Sequence, residues 1–577
     1  MMHTRRTPLV PASASTLAAV LVGHLVATGC LLAAEQRPAV ELQTYVTPVV
    51  KRVAGVFSKS IRFSPDGQHA AYVFGTQNTS RMIVNTVQLL RVPPKGKTGD
   101  PETCLYIKTT KGEVYDGFRV PGAIFSPNSE RVGYVATKGD KSIAVVDGVE
   151  RGTYDAIFDL HFSPDSKRFA FIGRYKKAEG WEEVAVVDGV ESRRWRGVGV
   201  NTPLFSPDSK RAVYVGIRQD GKHVVVLDGK CSEPCKGVLG KSLAWSPDSK
   251  RLVCSVDLPD RFAVLVNGVR LEQGYGWLPN IPPSFSPDGT RMAYVALRKV
   301  KAFVVVDGKE CKGYDDLGGL TLSPDGRHVG YNARRGDKYL VVVDEQEGKE
   351  YDVIVDGTPA FSPDGSKWIY FAKEGEKWLA VTQGIPSPKY DAVGANFLVF
   401  SPDGQRIAYA CERDKRRFFV LDGVESKGYD TLSYGVFSPD SKRFAYPAWL
   451  NGKSFIVVEG KESRAHDEVW PAQFSPDGKH LAYRAQRAGK MLVVLDGQEG
   501  REYDEIGDLR FCPDSRHLAY EAKREGMWRI VVDGMESQHT FDHFLKGRLR
   551  FHTPQVLHHL AVKDTYHHVL AIEILRR

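Results

Sequence analysis

Histidines, cysteines and arginines are the residues in this chain whose types and spacing could carry chemistry. Near the C-terminus stand His539, His543, His552, His558, His559, His567 and His568, a density that would suit a metal centre if several imidazoles converged. Adjacent residues of a strand point to opposite faces, so no more than one of each His-His pair can join such a site. No fixed ligand spacing ties the others together, and solvated or inter-sheet histidine is the expectation; no metal site is assigned. Cys231 and Cys235, separated by Ser-Glu-Pro, could close a small disulfide loop in an oxidising compartment. Cys104, Cys254, Cys311, Cys411 and Cys512 stand one to a segment and read as buried single thiols, and without a Cys-x-x-Cys pair a zinc ribbon is excluded. A serine hydrolase would need a Gly-x-Ser-x-Gly elbow, which does not occur. The Gly-Lys-Ser and Gly-Lys-Thr triplets at 96–98, 240–242 and 452–454 imitate the end of a phosphate loop. The glycine required five positions earlier is replaced by Arg91, Cys235 and Pro447.

Basic residues recur at one kind of position. Lys177, Arg298, Arg335, Arg416, Arg417 and Arg524 fall in short charged segments between two alternating apolar runs. The functional expectation is a cationic rim facing an acidic partner, either an anionic glycan or an acidic protein surface. The alternative is a solvated turn that keeps charge at a sheet edge. Lys167-Arg168, Lys210-Arg211 and Lys250-Arg251, at a different turn, are basic as well, which dilutes the claim of a special face. A net charge of +9 over 577 residues is a weak surplus, and no nucleic-acid partner is expected from it. No cofactor is expected.

The elements that would position these residues are set by a repeat. Phe63-Ser-Pro-Asp-Gly67 returns with Phe, Trp or Leu ahead of Ser-Pro-Asp or Ser-Pro-Asn, and with Cys512 for serine in the twelfth copy. The prolines run from Pro65 to Pro513, at intervals of 37 to 43 residues after a first interval of 62. A thirteenth copy at Phe551-His-Thr-Pro554 has lost the aspartate. Proline supplies φ near −65° and the aspartate accepts a turn N–H, so Asp66, Asp165, Asp208, Asp248, Asp288, Asp325, Asp364, Asp403, Asp440, Asp477 and Asp514 read as structural turn residues. Period-two alternation after the turn, as in Arg168-Phe-Ala-Phe171, predicts a second strand. A third runs Val-Val-Val into Asp-Gly, the sign of a type I′ hairpin, and a fourth ends in Tyr-Asp. The Tyr-Asp closings repeat in most copies, and regular repetition points to a structural role. Residues 79 to 103 of the first copy are expected as a surface-loop insertion.

Four strands about every 40 residues are the signature of β-propeller blades. Phe285-Ser-Pro-Asp-Gly-Thr-Arg-Met-Ala-Tyr294 and its repeats resemble the WD-like propeller repeat of the TolB type, found also in the propellers of prolyl oligopeptidase-like enzymes and tricorn protease. The resemblance spans nearly all of residues 35 to 577, and the Gly-His and Trp-Asp pairs of true WD repeats are absent. About thirteen blades exceed the usual ring size, so the expected fold is all-β, two tandem β-propellers, six plus seven blades, with the first over 35–318 and the second over 319–577; seven plus six, divided near 356, is the alternative. The last copy lacks a fourth strand, which Glu41 to Val50 could supply.

Arg5 and Arg6 ahead of an apolar stretch from Leu17 to Ala34, with no acid in residues 1–34, have the layout of a secretory signal peptide. Thr28-Gly29-Cys30 looks like a lipoprotein box, with the lipid at Cys30; otherwise cleavage falls near Ala33 or Ala34, and an uncleaved anchor is the alternative to export. The expectation is an exported, periplasmic or extracellular, non-catalytic binding or scaffold protein whose partner is a protein or an anionic polysaccharide. The competing expectation is a propeller-based lyase or hydrolase acting on acidic polysaccharide.

Overall fold

The computed structural model describes residues 40–51, 62–63, 69–76, 79–92 and 102–119, and then 123–576 apart from 200, 272, 280–281, 358, 545–548 and 564–565. Asp66, Cys30 and the whole leader lie outside these residues. The chain is all-β: its described strands form thirteen antiparallel sheets that follow one another along the sequence. Sheets 1 to 12 take consecutive segments, for example 156–191 for sheet 3, 284–310 for sheet 6, 316–347 for sheet 7, 392–425 for sheet 9, 431–462 for sheet 10, 468–499 for sheet 11 and 505–536 for sheet 12. Each is an up-and-down meander of four strands, the first often split by a short excursion. This is the β-propeller blade. Among the described residues no helix is long and apolar enough to cross a membrane.

The turns are those their residues demand. Asp147 and Gly148 both hold positive φ, at 54° and 77°, as a type I′ hairpin requires, and the Asp-Gly turns of later sheets repeat the pair. After Ser-Pro-Asp the next residue is also left-handed, for example Ser209 at φ 63° and Gly404 at 75°.

The core lies between sheets. In sheet 7, Tyr331 and Ala333 of the second strand and Leu340 and Val342 of the third pack on Ala293 and Val304 of sheet 6. Sheet 12 packs on sheet 11 in the same way, with Leu518, Tyr520 and Ala522 against Ala482 and Val493. Burying each such large side chain contributes about 1.5–3 kcal/mol, so every sheet depends on its neighbours for most of its stability. Residue 318, where the sequence places a ring boundary, falls inside the strand Asp316–Leu322. The sheets on either side of it share a cluster of the same make as the others.

The first sheet corrects one expectation. Residues 79–92 and 102–115 are not a surface loop; they are two strands of fourteen residues, Thr79–Val92 and Glu102–Tyr115, paired from Ser80↔Tyr115 to Val92↔Glu102. Runs such as Met82-Ile-Val and Cys104-Leu-Tyr-Ile favour an extended ladder, and the insertion lengthens the third and fourth strands. At the other end, Val40–Lys51 pairs antiparallel with Tyr566–Arg576 and supplies the strand the last repeat lacks. Cys231 and Cys235 are not bonded to each other: Cys231 pairs with Val226 in the fourth strand of its sheet, while Cys235 bridges back to His223, and both thiols are free.

Candidate functional site

The turns between second and third strands carry the six basic residues singled out in the sequence, and each of the six has a carboxylate. Arg298 forms a fork on Glu310 at 3.0 and 2.6 Å. Arg335 reaches Glu347 at 2.5 Å and Glu350 at 3.0 Å. Arg524 bonds Glu536 at 3.0 Å, and Arg417 bonds Glu412 at 3.0 Å. Lys177 pairs with Glu182 and Arg416 with Asp430. They stay accessible: their side chains range from 35% exposed at Arg524 to 50% at Lys177. The Arg335 fork, with Lys312 and the Tyr314 hydroxyl, holds the Glu347 carboxyl down at about 2.

The Tyr-Asp closings share this edge. Asp315 accepts Lys301 Nζ at 2.6 Å and the Gly336 N–H of the next sheet at 2.7 Å, and Asp155, Asp352, Asp391, Asp430, Asp467 and Asp504 repeat the arrangement. In several copies the preceding tyrosine donates to a glutamate of the next sheet, as Tyr314 does to Glu347 at 2.8 Å. Each closing therefore staples one sheet to its successor. Arg416 occupies the Lys301 position and belongs to a staple itself.

The opposite edge is stitched by the Ser-Pro-Asp turns. Ser163 donates to Asp165 at 2.7 Å, and the same bond recurs in Asp208, Asp248, Asp288, Asp325, Asp364, Asp403, Asp440 and Asp477, with the Cys512 thiol serving Asp514. Hydrogen bonds from Ser286 and Thr290 hold the Asp288 carboxyl at about 2, and those from Ser362 and Ser366 do so for Asp364. Arg168 spans the gap between sheets: it pairs with Asp188 at 2.7 Å, donates to the carbonyls of Ser209 and Lys210 at 3.1 and 2.8 Å, and lies over the Phe205 ring.

One set of residues escaped the sequence reading. The middle residue of the second-strand Tyr-x-Ala motif, apolar in Val135, Val295 and Phe371, is Arg484 in sheet 11 and Glu521 in sheet 12. Arg484 donates to the carbonyls of Ile506 and Gly507 at 3.2 and 3.1 Å, lies 5.7 Å from the Trp470 ring, and has no carboxylate within 4 Å among the described residues. Burial lowers its pKa against the pull of Asp508 and Glu521. Glu521 accepts the Asp508 N–H at 3.1 Å and meets His559 Nε2 at 2.6 Å; His559 in turn stacks on Phe544. Of the C-terminal histidines, His559 thus belongs to an inter-sheet contact. The Oδ2 of Asp508 is buried without a partner. Glu468 takes one long bond, 3.4 Å, from Trp449, and burial raises its pKa. The signal available in the sequence was the charge interrupting an otherwise apolar repeat position. No group of three metal-ligating side chains converges among the described residues.

These sheets, turns and staples define a β-propeller protein. Solved propellers resemble it. They include the Dos1 propeller, 10% identical over 50% of this chain and 91% of that one with a TM-score of 0.23. A putative TolB from Agrobacterium tumefaciens is 16% identical over 40% and 93%, with a TM-score of 0.20, and TolB from Acinetobacter baumannii is 17% identical over 58% and 81%, with a TM-score of 0.18. No protein-family model matches the sequence, and comparison with curated proteins gives no match.

Proposed function

We propose that this chain is an exported, non-catalytic binding or scaffold protein, and that its second-to-third-strand turns meet a protein or an anionic glycan. The observation that supports this most is the set of cations repeated along one edge of a rigid stack, each about a third to a half exposed and held in one geometry by a carboxylate. Variable loops on a rigid scaffold are where recognition usually sits. An acidic partner would exchange these intramolecular pairs for its own, so binding should be salt-sensitive, with exposed charges screened over about 8 Å at physiological ionic strength.

Charge reversal at Arg298 and Arg417 tests the reading without touching the Asp430 staple. Retention on immobilised polygalacturonate or heparin, or on an acidic protein captured with the chain, should fall clearly in R298E/R417E while thermal stability changes by about 1 kcal/mol or less, since exposed pairs contribute little. Unchanged retention, or catalytic depolymerisation of the polygalacturonate, sinks the proposal. For export, mass spectrometry of the mature N-terminus separates the cases. A start near Glu35 means a cleaved leader, a start at Cys30 with added lipid mass means an anchored lipoprotein, and an intact Met1 refutes both.

A further inference from the structure

Buried charge that a repeat does not need calls for a reason. Arg484 and Glu521 occupy a position filled in other sheets by Val135, Val295, Phe371 and Ala410, and those sheets fold and stack without it. Placing a guanidinium there costs desolvation that two carbonyl bonds do not fully offset. The surroundings are also unusual in what they leave open. Among the described residues Arg484 bonds through Nη1 alone, and the buried Oδ2 of Asp508 has no hydrogen-bond partner. Trp470, whose backbone N–H is bonded to the Arg484 carbonyl at 3.0 Å, stands beside the guanidinium, half-buried.

The chemistry of this set selects its ligand. A simple anion would face two carboxylates, Asp508 and Glu521, against one arginine, and a simple cation would face Arg484. A neutral polyhydroxylated ring fits both: hydroxyls accept from the guanidinium and donate to the Asp508 carboxylate, and the apolar C–H face lies on the indole. The aromatic surface also continues along the stack. The first strands of sheets 9 and 10 bring Phe397 and Tyr434 into a ring stack with centroids 4.8 Å apart, and Tyr434 is 55% exposed. Trp470 occupies the corresponding first-strand excursion of sheet 11. An exposed tyrosine and a half-buried tryptophan on successive first strands suit an extended ligand.

We infer that the first-strand edge of sheets 9 to 12 is a binding site for a neutral oligosaccharide, with Trp470 as stacking platform and Arg484 and Asp508 as the hydroxyl-bonding pair. The site is separate from the basic turns, so the inference does not depend on the anionic-partner reading. Titration of the full chain with cellotetraose, chitotetraose and mannotetraose, followed by calorimetry and tryptophan fluorescence, is expected to show binding of at least one of the three. W470A and D508N should weaken it about tenfold or more, the loss of a stacking contact or a charge-assisted hydrogen bond. W470F should recover part of the affinity, which a purely structural tryptophan would not do. If R484Q fails to fold, W470A and D508N, with melting temperatures near that of the parent, carry the test. R298E/R417E should leave neutral-sugar affinity unchanged, so the two proposals fail independently. No binding of any of the three sugars up to their solubility limits, or binding that W470A and D508N leave intact, overturns the inference.

Discussion

At Gly404 the repeat leaves no room for a side chain: a Cβ there would stand 2.1 Å from Asp364 Oδ1 of the preceding sheet. In other copies the equivalent residue is a serine that holds the same left-handed φ and accepts the N–H of the preceding sheet's turn aspartate, as Ser209 does from Asp165 at 2.9 Å. In the Gly404 copy the side chain of the preceding turn aspartate thus fills the space that serine takes elsewhere. G404S should destabilise by about 1–3 kcal/mol through overpacking and left-handed strain, measured by urea unfolding, whereas S209G should be nearly neutral. The turn carboxyls also respond to acid. Asp288 and Asp364 titrate near 2 in the folded chain and near 4 when unfolded, so the unfolded chain binds more protons between those values and stability falls there as pH drops. The melting temperature should hold above pH 5, decline below about pH 4, and decline less steeply in D288N/D364N.

The sheet-to-sheet stitch is the unit at the next scale. Arg168 combines an ion pair, two carbonyl bonds in the following sheet and a ring contact, and Arg131, Arg211 and Arg406 make related contacts. His328, Lys367, His480 and His517 hold the position elsewhere and make fewer bonds. R168L should cost about 1–2 kcal/mol of stability by chemical denaturation, and R168K should recover only part of it because an ammonium cannot fork to both partners. An R168L variant as stable as the parent would show that the apolar clusters alone hold the sheets. Arg298 and Arg335 look like loose turn charges in one dimension, and Glu310 and Glu347 lie two strands away.

For the whole molecule, the question is how thirteen sheets are divided. We propose that the stack is continuous across residue 318, and a cut there tests the division into 35–318 and 319–577. The cluster of Ala293, Val304 and Cys311 with Tyr314, Val329 and Tyr331 spans it, so fragments 35–318 and 319–577 would each expose one side of that surface. Expressed apart, they should aggregate or melt well below the full chain, and co-expression should restore a complex. Two monomeric fragments, each melting like the full chain, would instead establish independently folding halves.

The repeat was legible in the sequence because its signals are local. Pro-Asp and Asp-Gly prescribe turn geometry within four residues, alternation prescribes strands, and the spacing prescribes blades. The missing strand could be placed at Glu41–Val50 because one repeat lacked a partner and one extended segment lacked a repeat. The loop expected over 79–103 gives way to strand at 79–92 and 102–103, because the segment's length departs from the other copies and only the ladder from Ser80 to Val92 shows the pairing; residues 93–101 lie outside the described residues. What tertiary structure alone decided is which side chains meet across sheets: Arg335 with Glu347, Tyr314 with the same carboxylate, Gly404 against Asp364, and Arg484 with Trp470 beside Asp508 and Glu521. Those contacts join residues of different strands or successive repeats, where the sequence records composition and spacing but not direction, and the direction follows only once the sheets are stacked.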